Sequence, residues 1–114
     1  MAGHKTSELE VRFEQAWVEL FPNIDLHSQH RFHRTRRWRF DYAAIDTRIA
    51  IEIQGGIWTY GGHSRGSGQV RDMEKHNAAA ALNWRIFFLH VDTVEDVETL
   101  TQIANTIRAS DPVC

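Results

Sequence analysis

The sequence predicts one mixed α/β domain, a single sheet flanked by helices in the order α-β-β-β-α-β-α. Three observations predict it. Segments 38–43 and 49–54 alternate apolar and polar residues with a period of two, the pattern of strands with one buried face. Apolar residues at helical spacing lie near both ends, Leu9-Phe13-Ala16-Trp17-Leu20 and Val97-Leu100-Ile103-Ala104-Ile107. Between them, Trp84–His90 (WRIFFLH) reads as a buried strand that follows a helix. A chain of 114 residues suits one core and leaves no room for a second.

Each element has its own signal. Residues 1–5 read as a loose tail and 6–114 as the domain. Ser7 with Glu10 forms the S-x-x-E capping pattern at the start of the first helix, and Pro22 with Asn23 stops it. Segment 30–33 reads as a short strand and 35–37 as a turn. In the next strand Trp38, Phe40 and Tyr42 face away from Arg39, Asp41 and Ala43; after the turn 45–48, Ile49, Ile51 and Ile53 face away from Ala50, Glu52 and Gln54. A loop from Gly55 to Gly68 holds six of the seven glycines, with Trp58, Tyr60, His63 and Arg65 among them. The second helix is expected over 70–82, ended by Asn83, and Thr93 is expected to cap the last one.

Composition narrows the class. With 42% hydrophobic and 25% charged residues the chain is neither disordered nor fibrous. Its longest apolar run, 78–82, is far too short to span a bilayer, and the polar MAGHKTSELE start lacks the apolar stretch of a signal peptide. The single cysteine, Cys114, excludes an intrachain disulfide or a multi-cysteine zinc site, so a reducing cytoplasm is the expected compartment. The net charge of −2 hides an asymmetry: 27–39 carries five arginines, three histidines and no acid, while 92–98 is acidic with no lysine or arginine. Such a split presents one basic face to phosphate, although a solvated arginine-rich strand edge reads the same way.

The hairpin sets up the chemistry. With Asp46 and Thr47 central in the turn, cross-strand partners have numbers that sum to 93, so Asp41 opposes Glu52, Arg39 opposes Gln54, Tyr42 opposes Ile51 and Phe40 opposes Ile53. A slip by one residue would put carboxylates against isoleucines. Directly opposed residues have Cβ atoms roughly 4.5–5.5 Å apart, and two carboxylates that close repel unless a positive charge lies between them. A divalent cation meets that need, since Mg²⁺ takes carboxylate and carbonyl oxygens together with water. Arg39 or Arg48 on a solvated face would meet it too.

WRFD ending at Asp41, IEIQGG at 51–56, HSRG at 63–66 and D-x-x-K at 72–75, followed by the strand starting N-W-R, resemble the PD-(D/E)XK nuclease superfamily. The likeness is to its small phage and bacterial members related to very-short-patch-repair endonucleases, which include free-standing homing endonucleases with an E-D-x-H-D pattern, and it covers nearly the whole chain. The resemblance implies a restriction-endonuclease-like α-β-β-β-α-β core and a metal held by Asp41, Glu52 and the Ile53 carbonyl, with Mg²⁺ as cofactor and Mn²⁺ able to substitute. It implies His63 as general base or acid, and Asp72 as a ligand to a second metal, to water or to His63. Glu10 would be the acid of the first helix, although its capping role already explains it; Glu14 is the reserve. Gln54 occupies the family's lysine position and cannot move a proton; Lys75, one turn after Asp72 on the same helical face, is the available stand-in, or else a member of a surface ion pair.

The expected function is therefore metal-dependent hydrolysis of DNA phosphodiesters that leaves a 5′-phosphate, as in a phage homing or recombination endonuclease. The alternatives are a nuclease selective for junctions or mismatches, a non-catalytic nucleic-acid-binding module, and an RNA nuclease. Arg34, Arg36, Arg37, Arg39, Arg65 and Lys75 are the candidate DNA contacts; Arg34, Arg36 and Arg37 suit phosphates rather than bases, because nothing in the sequence fixes their orientation. Trp38, Trp58 and Trp84 read as packing residues, and His76 and His90 as structural. A domain this small has little surface for a long site, which favours a homodimer, structure-selective cutting or nicking with modest specificity.

Overall fold

Seven elements follow in the predicted order: α1 (Glu8–Leu20), β1 (His27–Arg31), β2 (Arg39–Ala44), β3 (Ile49–Ile53), α2 (Ser67–Ala81), β4 (Arg85–Leu89) and α3 (Val97–Ala109). The computed structural model describes residues 7–55 and 67–113; the expected N-terminal tail and most of the glycine loop, with His63 and Arg65, lie outside them. The strands form one sheet in the order β1-β2-β3-β4, antiparallel except for the parallel β3–β4 pair. A parallel neighbour needs a crossover, and α2 supplies it.

Two apolar layers enclose the sheet. On one side Phe13 and Trp17 of α1, Phe21 just after it, and Leu100, Ile103 and Ala104 of α3 pack on Tyr42, Ile51 and Leu89. On the other, Ala79 of α2 packs with Phe40, Ala43, Ala50 and Trp84. Three alanines at that contact let α2 lie close to the sheet. No helix among the described residues is long and apolar enough to cross a membrane.

The local signals translate into geometry. At α1 the capping box is complete: Glu10 N–H donates to Ser7 Oγ at 3.1 Å, and Ser7 N–H donates to Glu10 Oε1 at 2.8 Å. Helix α2 ends in a Schellman motif, with Asn83 at φ 68°, Asn83 N–H bonded to the Ala80 carbonyl and Trp84 N–H to the Ala79 carbonyl. The expected hairpin register holds at Tyr42–Ile51, Ala43–Ala50 and Ala44–Ile49. Its four-residue turn is closed by Arg48 N–H to the Ile45 carbonyl, with Arg48 at φ 56° in place of the absent glycine.

Four expectations are corrected. Asp96, not Thr93, caps α3, accepting from Thr99 N–H at 2.9 Å; the Thr93 hydroxyl is already committed to the preceding turn, where it accepts from His90 N–H at 2.9 Å. Val97, expected on the inner face of α3, is 57% exposed; it is the first residue of that helix and lines an open concavity beside α1. The strand 84–90 is not buried throughout: β4 is an edge strand, and Phe88 is 49% exposed. Phe40 and Tyr42, expected on one face, lie in opposite apolar layers. Strand β2 therefore twists at Asp41. The β1–β2 register is the same on both sides of that point, so no residue is inserted, and Gln29, which the register sets opposite Asp41, has φ 52°.

Candidate active site

Beyond Tyr42–Ile51 the β2–β3 ladder stops, and two side chains take over its hydrogen bonds. Asp41 N–H donates to Glu52 Oε2 at 2.9 Å, and Ile53 N–H donates to Asp41 Oδ2 at 2.7 Å. Each carboxylate thus accepts a backbone donor from the facing strand, which holds Asp41 and Glu52 against each other. The ladder ends before the expected Asp41–Glu52 pair, and these two bonds rather than strand pairing bring the acids together; the expected continuation to Arg39 and Gln54 is absent. Arg39 is exposed and pairs with Arg31 of β1, and Gln54 is exposed with its N–H turned to the Leu89 carbonyl of β4 at 2.8 Å. Ile53 N–H points toward β2, and a strand residue projects its N–H and C=O to the same edge, so the Ile53 carbonyl is directed to the same side.

Helix α2 brings the cation. Ala79 is fully buried against the sheet, and Lys75, four residues earlier, lies on the same stripe. Its stem runs past the Phe40 ring, with Nζ 5.7 Å from the centroid, to an ion pair with Glu52 Oε1 at 2.8 Å. The two side chains are only 15% and 10% exposed. Lys75 is therefore ion-paired, but to Glu52 and largely withdrawn from solvent rather than on the surface. Asp72 shares the Lys75–Ala79 stripe and is exposed near the start of α2.

Helix α1 supplies a third carboxylate. Glu10 is 5% exposed and its charge acts on Asp41; the two residues line one concavity with Ser7, Leu9, Ile53 and Gly55. Glu14, one turn on, instead accepts a hydrogen bond from the buried Tyr42 hydroxyl at 2.5 Å. Glu10 is thus the acid of α1 beside Asp41, and Glu14 ties the helix to the sheet.

Electrostatics follow from this crowding. Burial raises the Asp41 pKa above the usual carboxylate range; the Ile53 N–H bond opposes the rise, the charges of Glu52 and Glu10 add to it, and Lys75 offsets part of it. Burial, then the Glu14 bond, pushes the Tyr42 phenol well above its ordinary value. A cation fits this donor set: the oxygens are hard, the acids crowd one another, and Asp41 Oδ1 accepts no hydrogen bond among the described residues. No group of three or more acid, histidine or cysteine side chains among the described residues forms a ready metal cage; Mg²⁺ commonly uses one or two carboxylates plus water and phosphate.

The basic segment is held more firmly than its sequence suggested. Arg36 lies 4.0 Å over the Trp38 ring and 3.8 Å from Glu74 of α2, and His33 Nδ1 accepts the N–H groups of Thr35 at 3.2 Å and Arg36 at 3.0 Å. Sequence reasoning missed Glu74 and the His33 clamp, since a lone glutamate on a helix and a histidine in a basic run carry no distinguishing pattern. Trp38 and Trp84 are packing residues as expected, and His76 packs edge-on against Phe88. Comparisons of the chain with family models, with curated proteins and with solved structures gave no match.

Proposed function

We propose that this domain is a Mg²⁺-dependent DNA endonuclease with a restriction-endonuclease-like α-β-β-β-α-β core, acting in the cytoplasm as a phage-type homing or recombination nuclease. The observation that carries the reading is the opposition of Asp41 and Glu52 at the point where β2 and β3 part, with Lys75 on Glu52 and Glu10 beside Asp41. The topology is compatible with that core, and the resemblance of the sequence motifs to the nuclease superfamily supplies the substrate class.

In this reading Asp41, Glu52 and the Ile53 carbonyl would hold the metal, with Mn²⁺ able to replace Mg²⁺. When bound, the metal polarises the scissile phosphate and lowers the pKa of the attacking water. The residues of the chain do the rest. The two backbone bonds fix the carboxylates before substrate arrives, a preorganisation that costs nothing at the moment of reaction. Lys75 Nζ, the only cation ion-paired to the site among the described residues, stands where the Gln54 amide cannot act, and donates to phosphate oxygen or to the attacking water. Water adds to phosphorus and gives up a proton to a base, for which His63 is the candidate; the P–O3′ bond breaks, the 3′-oxygen leaves and takes a proton from solvent to become a 3′-hydroxyl, and a 5′-phosphate remains.

A plasmid-nicking assay in Mg²⁺, Mn²⁺ or EDTA, comparing wild type with Asp41→Ala and Glu52→Ala, tests the proposal. Nicking by wild type in either metal, abolished by EDTA and by each substitution, supports it. No cleavage of duplex, branched or single-stranded DNA, with binding intact, would overturn the enzyme claim. That outcome would leave a binding module, a second reading favoured by one observation: Lys75 and the backbone already satisfy Glu52 without any metal.

A further inference from the structure

The connection between β1 and β2 carries the second unusual arrangement in the molecule. Arg31, Arg34, Arg36, Arg37 and Arg39 are all exposed along it. A run of like charges ordinarily has little packing beneath it, and here aromatic rings and a closed turn lie under it. Phe32 stacks on Phe40 with centroids 4.1 Å apart and planes 9° from parallel, and Trp38 lies nearly parallel to Phe32 at 6.3 Å. The His33 ring closes the turn between them through the Thr35 and Arg36 amides and packs edge-on against Trp38 at 5.2 Å. Arg36 covers the outer Trp38 face and reaches Glu74. Arg34, Arg37 and Arg39 form no ion pair among the described residues.

The arginines therefore divide into two kinds. We infer that residues 32–38 form a preorganised phosphate clamp in which Arg36 is the brace and Arg34 and Arg37 are the groups that engage the sugar–phosphate backbone of duplex DNA. The aromatic stack ends on Phe40, the residue before Asp41, and Lys75 lies over the same ring. A backbone gripped by the clamp thus lies on the Glu52–Lys75 side of the sheet. A guanidinium makes bidentate contacts with phosphate, and fixing the turn in advance removes part of the ordering entropy that a floppy basic loop would lose on binding. The partner named here rests on the proposed action on DNA, but the clamp itself needs no cleavage.

Anisotropy of a labelled 30-base-pair duplex, titrated with the full chain in EDTA across a series of KCl concentrations, separates the two kinds of arginine. Arg34→Ala with Arg37→Ala is expected to weaken binding at least tenfold and to reduce the slope of log K against log salt by about 1.8, about 0.9 for each phosphate no longer neutralised. Trp38→Leu removes no charge, yet is expected to weaken binding severalfold, whereas Trp38→Phe keeps a ring under Arg36 and restores most of the affinity. Far-ultraviolet circular dichroism and a melting curve establish that each variant is folded. An unchanged slope in the double arginine variant, or equal affinity of Trp38→Leu and wild type, would overturn the clamp. Binding through these arginines without nicking would leave the clamp standing and remove the nuclease; nicking with an unchanged salt slope would do the reverse.

Discussion

Lys75 Nζ lies 2.8 Å from Glu52 Oε1, and neither side chain is more than 15% exposed. Removing one member of such a pair strands a charge in a site poor in water, which costs more than the intact pair contributes. Lys75→Met is expected to destabilise the fold by about 2 kcal/mol, somewhat less than for a fully buried pair. For a domain of this size that lowers Tm by roughly 8 °C. Glu52→Gln in the same background should recover most of the loss, because no charge is then stranded. Denaturant titration of the two single variants and the double variant gives the coupling directly, and additive effects would show that the pair is solvated.

The Asp41 carboxyl, held above the usual range chiefly by burial, makes a pH-dependent contribution of opposite sign to that of an ordinary paired acid. Its folded pKa exceeds its unfolded pKa, so the folded state binds more proton in that window and stability falls as pH rises from the unfolded to the folded value. Without metal, Asp41→Asn should therefore raise Tm at pH 7, and the gain should shrink as pH falls through the carboxylate range. Asn retains an oxygen to accept the Ile53 N–H. With Mg²⁺ at about 100 times its dissociation constant, wild type should gain about 2.7 kcal/mol, and Asp41→Asn should gain far less. Melting curves at a series of pH values, with and without Mg²⁺, check both halves.

Tyr42 joins the sheet to α1 through its hydroxyl on Glu14 and its ring on Phe13, with centroids 4.9 Å apart. Tyr42→Phe keeps the ring and deletes one hydrogen bond to a charged acceptor, worth about 1.5 kcal/mol. Because burial holds the phenol protonated, an alkaline titration followed by the ultraviolet absorbance of tyrosinate should show Tyr42 ionising only when the protein unfolds.

Ser7→Ala removes the hydroxyl half of the capping box and should cost about 1 kcal/mol. Ser7 N–H still donates to Glu10, so nicking should fall much less than in Glu10→Gln, whose carboxylate lies beside Asp41. Comparing unfolding free energies and nicking rates of the two variants separates the cap from the site. Equal loss of nicking in both would mean that Glu10 acts only as a cap.

Residue pattern alone reached the hairpin because its constraints are local: three isoleucines and a four-residue turn admit one register, and that register brings Asp41 to Glu52. The α1 cap was legible for the same reason. The face switch at Asp41 was not, since it depends on Phe32 folding back to claim Phe40 for the α2 layer. Nor could spacing choose Glu52 as the partner of Lys75. That choice is made when the alanine contact seats α2 on the sheet, a tertiary event with no local signature. Thr93 and Asp96 are both good capping residues, and the prior claim of the 90–93 turn on the Thr93 hydroxyl decides between them.

The central claim is that Asp41 and Glu52 jointly hold a divalent cation, and a crystal soaked in Mn²⁺ tests it most directly. The expected result is an anomalous-difference peak bonded to an oxygen of each carboxylate and absent from crystals of Asp41→Ala. Crystals that show Mn²⁺ only elsewhere, with Lys75 still on Glu52 and both carboxylates as they are here, would contradict it.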